Sequence, residues 1–127
     1  MQESELFEYA VVRIVPRVER EEFLNVGVVL YCRGQNFLDV RFALDTTRCE
    51  VFFAPLDRDE LKAYLLAFQR ICWGNADGGP IAALPMAERF RWLTAKRSTV
   101  VQTSPVHSGL CKDAGLALER LYEKLVL

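Results

Sequence analysis

The sequence predicts an α+β domain spanning residues 1–127. It reads as an antiparallel sheet of about four strands with three helices packed mainly on one face. Three observations carry this. The first third holds three strand-like runs and almost no helical periodicity. The middle and the end carry apolar stripes at i, i+3, i+4, i+7 spacing. One short β-branched run, Ser98 to Thr103, separates the second helix from the third. The expected order is β-β-β-α-α-β-α. Half of the residues are hydrophobic, so a chain of this length can bury one sizeable core.

Phe7 to Val15, FEYAVVRIV, is β-branched and aromatic and is apolar on both alternations. Both of its faces are expected to be covered, as in a central strand. Arg13 interrupts that pattern on the face it shares with Phe7, Tyr9, Val11 and Val15. Two roles suit it: an arginine snorkelling or ion-paired at a strand end, or an anion-binding arginine in a cleft. Pro16 ends the strand, and RVEREEFLN carries alternating charge compatible with one helical turn. The second strand, VGVVLYCR, places Val26, Val28, Leu30 and Cys32 on one face. Gly27 near its start suggests a bulge, a close backbone approach, or a bend that lets the loop pack.

Arg33 to Asn36 forms a four-residue hairpin connection to a third strand, FLDVRFAL, with Leu38, Val40, Phe42 and Leu44 inward. Asp39 and Arg41 form its charged outer face. Val51-Phe52-Phe53 is too apolar for a free loop and is expected to pack as a short extended piece. Asp57 with Glu60 resembles a capping box at the start of the first helix. Its core stripe is Leu61, Tyr64, Leu65, Phe68, Ile71 and Cys72, and Gly74 follows where a helix end favours glycine. Asn75 to Pro80 is a surface loop whose glycines fit no phosphate-binding pattern. Pro85 opens the second helix, with Met86, Phe90 and Leu93 inward. Pro105 stops the fourth strand, His107-Ser108-Gly109 reads as a turn, and Asp113 caps a last helix striped by Leu118, Leu121, Tyr122 and Leu125.

Composition excludes several function classes. A net charge of −1 gives no global drive toward nucleic acid or an anionic membrane. No stretch approaches the roughly 20 apolar residues that span a bilayer, and the acidic start MQESELFEYA has no signal-peptide pattern. The expected location is the cytoplasm. The four cysteines form no CxxC pair and one histidine cannot complete a zinc-finger pattern, so no metal site is expected. Nothing in the sequence specifies a cofactor. Cys32 and Cys72 lie on apolar stripes and read as small hydrophobes.

Chemistry concentrates between Glu88 and Cys111. That stretch holds four of the sixteen basic residues, the only histidine and a close series of hydroxyls. Arg97, Ser98, Gln102, Ser104 and His107 flank the short strand and, if they converge with Arg13 and Asn25, could hold a phosphate or another oxyanion. The hydroxyls equally suit turn and cap bonds to local backbone. Ser104 with His107, and His107 with Cys111, are weak nucleophile–base pairings without an elbow motif or an assignable third member.

Two motifs occur together: YAVVRIVPRVEREEFLNVGVVL at residues 9–30, and RFRWLTAKRSTVVQTSPVHSGLC at residues 89–111, followed by a leucine-rich helix. This pairing resembles the bacterial domain-of-unknown-function family 3037. The resemblance maps motif positions onto Arg13, Pro16, Glu22, Phe23, Asn25, Gly27, Arg97, Ser98, Gln102, Thr103, Ser104, Pro105 and His107. Glu21 is a point of departure, since relatives are expected to carry glycine there and the loop is then more helical here. The family brings no established activity. The resemblance implies a small intracellular single-domain protein whose gene neighbours encode toxin-like serine/threonine kinases, hence a protein partner. The leading expectation is a non-enzymatic binding protein. The alternative is a phosphate-ester or nucleotide enzyme with Arg13 and Arg97 on the anion and His107 as acid/base. The oligomeric state is not specified.

Overall fold

The computed structural model describes residues 4–15, 22–43, 58–97 and 99–127. Ser98, the expected helical turn after Pro16 with Glu21, the Val51–Phe53 piece and the Asp57 cap lie outside the described residues. Strands β1 (Glu5–Ile14), β2 (Leu24–Cys32) and β3 (Phe37–Phe42) are followed by helices α1 (Arg58–Trp73) and α2 (Met86–Leu93). Then come β4 (Val101–Thr103), β5 (His107–Cys111) and α3 (Ala114–Leu125). The sheet is antiparallel in the order β3-β2-β1-β4, and β5 also pairs with β1.

β1 is the central strand that its two-sided apolar pattern requires. Its even residues Ala10, Val12 and Ile14 join Val29, Leu38, Val40, Leu65, Ile71, Phe90 and Leu93 in one core beneath α1 and α2. Phe7 joins Val28, Leu30, Cys32, Cys111, Leu118 and Tyr122 in a second core beneath α3. Two helices therefore share one face and the third closes the other. Cys32 and Cys72 are fully buried, one in each core.

β2 does not keep Val26, Val28, Leu30 and Cys32 on one face. Val12 pairs with Gly27 and Arg13 pairs with Asn25, which leaves Val26 as an extra residue. This is a β-bulge, and one extra residue reverses the in–out alternation. Leu24 and Val26 consequently share the α1–α2 core with Val29, while Val28, Leu30 and Cys32 face α3.

The helix ends are built as the sequence implies. Gly74 has φ 69°, and the Asn75 amide donates to the Arg70 carbonyl at 3.0 Å, closing α1 with a left-handed cap. Tyr64, expected in the α1 stripe, is about half exposed and donates to Glu60. At the other end of the chain, Asp113 accepts the Leu116 amide at 3.1 Å as the α3 N-cap. Asp113→Ala should cost about 1 kcal/mol in chemical denaturation, with Asp113→Asn restoring most of it. Equal stability of all three proteins would remove the cap from the account.

The expected turn at His107-Ser108-Gly109 is instead the start of β5. β4 and β5 form one interrupted edge strand along β1, pairing Val12–Ile14 through β4 and Glu5–Tyr9 through β5. Pro105 interrupts this strand because it has no amide hydrogen to give the ladder.

Candidate functional site

The bulge at Val26 decides which side chains meet. It turns Asn25 toward α3, where its Nδ2 donates to the Leu125 carbonyl at 3.2 Å. Arg13 is the cross-strand partner of Asn25 on one side and of Gln102 on the other. Cross-strand partners share a sheet face. Asn25, Arg13 and Gln102 thus form a polar row across β2, β1 and β4 on the α3 side.

Arg13 lies over the Phe23 ring with its guanidinium carbon 4.0 Å from the ring centroid. Such stacking holds a cation without neutralising it. No carboxylate pairs with Arg13 among the described residues. Its Nε and the Asn25 Oδ1 are buried without a hydrogen-bond partner there. Partial burial pulls the guanidinium below the ordinary arginine range, yet an arginine stays charged. Two neighbouring unsatisfied polar atoms cost stability, on the order of 1 kcal/mol or more each. Gln102 is turned back on its own strand, with Nε2 donating to the Thr99 carbonyl at 2.8 Å.

Further along the same face, His107 is the cross-strand partner of Tyr9, and their ring centroids are 5.4 Å apart. Tyr9 and Arg13 are four residues apart on one strand, so the His107 and Arg13 positions are separated by about 13 Å at ~3.3 Å per residue. They do not grip one phosphate together. Between them, Ser104 is buried and its hydroxyl is committed. Oγ accepts the Val11 amide at 2.9 Å and donates to the Pro105 carbonyl at 2.9 Å.

Arg97 is on the opposite side of the sheet. It closes the C-terminus of α2, donating to the Leu93 carbonyl at 3.3 Å and also to the carbonyl of Trp92. Its guanidinium carbon lies 4.1 Å from the Trp92 ring centroid. A cation on the last carbonyls of a helix complements the helix dipole. With Tyr64, Phe68 and Val101, Arg97 lines a small apolar cavity of about 170 Å³. The structure therefore brings Arg13, Asn25 and Gln102 together, sets Ser104 and His107 further along the same interrupted strand, and places Arg97 elsewhere.

Among the described residues, Cys72 and Cys111 are poor nucleophiles. Burial, then the Asp39 carboxylate, push the Cys72 thiol well up; burial, then neighbouring Cys32, push up Cys111. Both stay protonated at neutral pH. Since these shifts favour the folded state below the ordinary thiol range of about 8.5, that contribution fades as pH rises through the folded values. Native protein should resist iodoacetamide at Cys72 and Cys111 under mildly alkaline conditions, and denatured protein should not. Rapid labelling of Cys111 in the native state, read by mass spectrometry, would contradict this. No group of three potential metal ligands occurs among the described residues.

Phe23 is the member whose role is invisible from pattern alone. Its only sequence signal is its place beside Asn25 and Gly27 in the first motif. Residues 9–126 of the 127 match the family model described as "Protein of unknown function (DUF3037)". The chain belongs to this family. The DUF3037 match spans both motifs, the Arg13 row and α3 in one unit. No curated protein matches the chain, and no solved structure does.

Proposed function

We propose that this DUF3037 protein works by binding a protein partner in the bacterial cytoplasm, and not by catalysing a reaction. The observation that carries the reading is Arg13: a stacked, partly buried cation with no carboxylate partner among the described residues, beside an unsatisfied Asn25 oxygen. A fold that tolerates that cost at adjacent positions holds them for something other than stability. Of the groups that a phosphate-handling enzyme would use, the Ser104 hydroxyl and Arg97 are committed to backbone partners, and His107 stands about 13 Å along the strand from Arg13 at ~3.3 Å per residue. A toxin-like serine/threonine kinase is the kind of partner that the family resemblance supplies. An acidic or carboxylate-bearing partner segment suits Arg13, because a guanidinium forms paired bonds to a carboxylate.

Affinity purification of the tagged chain from its host tests this. The wild-type chain should recover a defined partner. Arg13→Gln should weaken recovery by about tenfold, the scale of about 1.4 kcal/mol for a desolvated contact. Arg41→Gln, which removes the exposed pair with Glu119 at 2.9 Å and the contact over the Tyr122 ring but leaves Arg13 in place, should recover as much as wild type. No partner for the wild-type chain, or equal recovery by Arg13→Gln, would overturn the proposal.

A further inference from the structure

The two edges of the sheet are finished differently. On β3, Asp39 accepts the Val40 amide at 2.7 Å and the Trp73 indole N–H at 2.7 Å. Arg41 on the same strand pairs with Glu119. Charged side chains and occupied backbone groups of this kind prevent another strand from adding to an edge. β5, His107-Ser108-Gly109-Leu110-Cys111, has no acidic residue, lysine or arginine. It pairs with Glu5–Tyr9 on one side, and among the described residues no strand pairs with the other. Leu110 is 70% exposed, and its cross-strand partner Leu6 is 61% exposed. A pair of leucines left in water on an unguarded edge costs free energy that a strand partner recovers.

We propose that β5 pairs antiparallel with β5 of a second copy of this chain, across a twofold axis at Leu110, to form one continuous sheet. The edge is complementary to itself in this register. Leu110 meets its twin, with a Leu6 outside each, so four leucines form one row. Ser108 faces the second copy's Lys112. Glu8 lies just beyond Ser108, as its cross-strand partner on β1. The small serine lets the ammonium of the second copy's Lys112 reach over it to the Glu8 carboxylate, and symmetry makes this contact twice. Leu116, 56% exposed at the start of α3, flanks the same edge. Pro105 limits the pairing to this one segment. The Arg13 row crosses β2, β1 and β4 and does not reach β5, so this interface and partner binding are separable.

Sedimentation velocity across micromolar concentrations tests the proposal. The wild-type chain should show a species of twice the 14.5 kDa monomer mass. Leu110→Lys sets two ammonium groups against each other at the axis and should weaken the dimer by about tenfold or more, with the melting temperature unchanged at concentrations where the wild-type chain is monomeric. Leu66→Lys, at an exposed leucine on α1, should leave the dimer intact. Leu110→Cys, once oxidised, should give a covalent dimer that Leu66→Cys does not. A wild-type chain monomeric throughout, a dimer indifferent to Leu110→Lys, or no cross-link in Leu110→Cys overturns the proposal.

Discussion

Ser104→Ala should lower the stability of the protein by about 1–3 kcal/mol, the cost of leaving a buried amide without an acceptor. The reason is in the edge strand. Val12 pairs with Thr103 and Tyr9 pairs with His107. Between those pairs β1 has two residues, Ala10 and Val11, while the outer strand has three, Ser104, Pro105 and Val106. The ladder therefore breaks around Val11, a buried residue of the central strand. The Ser104 amide still donates to the Val11 carbonyl at 2.8 Å, and the Ser104 hydroxyl accepts the Val11 amide at 2.9 Å. One residue supplies from its side chain the acceptor that the interrupted backbone does not. Alanine removes it and offers no replacement. Urea denaturation should show the loss, whereas Ser108→Ala on exposed β5 should stay within about 0.5 kcal/mol. An unchanged midpoint for Ser104→Ala would mean that the hydroxyl is free for other work, and the nucleophile reading would return.

What could be read in advance follows from how local each signal is. The hairpin of β2 and β3, the Leu61, Leu65, Ile71 and Cys72 stripe of α1 and the Asp113 cap rest on residues within one or two turns of each other, and the structure has them; Tyr64 and the bulged start of β2 are where periodicity fails. β1 advertised its central position by being apolar on both alternations, and α3 on the second face is the consequence. β5 was illegible for a physical reason. HSGLC has no β-branched residue, and it is extended only because β1 offers it a ladder. Gly109 permits this, since a Cβ there would stand 2.6 Å from the Phe7 ring. The candidate site was half legible. Arg13, Asn25 and Gln102 meet through strand register. Arg97, only five residues before Gln102, leaves for the other face because it belongs to the end of α2. Sequence distance carries no information on which face of a sheet a neighbour takes.

Gly27→Ala should destabilise the protein by about 1–3 kcal/mol, an overpacking cost, and should also disturb the Arg13 row. Gly27 sits at the bulge and faces β3 so closely that a Cβ would stand 2.6 Å from the Arg41 carbonyl oxygen and 2.6 Å from the Phe42 ring. The oxygen is backbone in a strand paired residue for residue with β2, where Gly27 itself partners Phe42. It cannot yield without opening the hairpin. If β2 relaxes by losing the bulge, every residue before it changes face, and Asn25 leaves Arg13 for the α1–α2 side. Gly34→Ala is the informative comparison. A Cβ there also meets an atom, but that atom is the end of the flexible Glu5 side chain, which can swing away. Gly34→Ala should therefore cost no more than about 0.5 kcal/mol. Thermal melts rank the two, and amide chemical shifts at Asn25 and Arg13 report the row. A Gly27→Ala protein as stable as Gly34→Ala would show that β3 yields, and the bulge would then be an accident of packing and not the device that sets Asn25 beside Arg13.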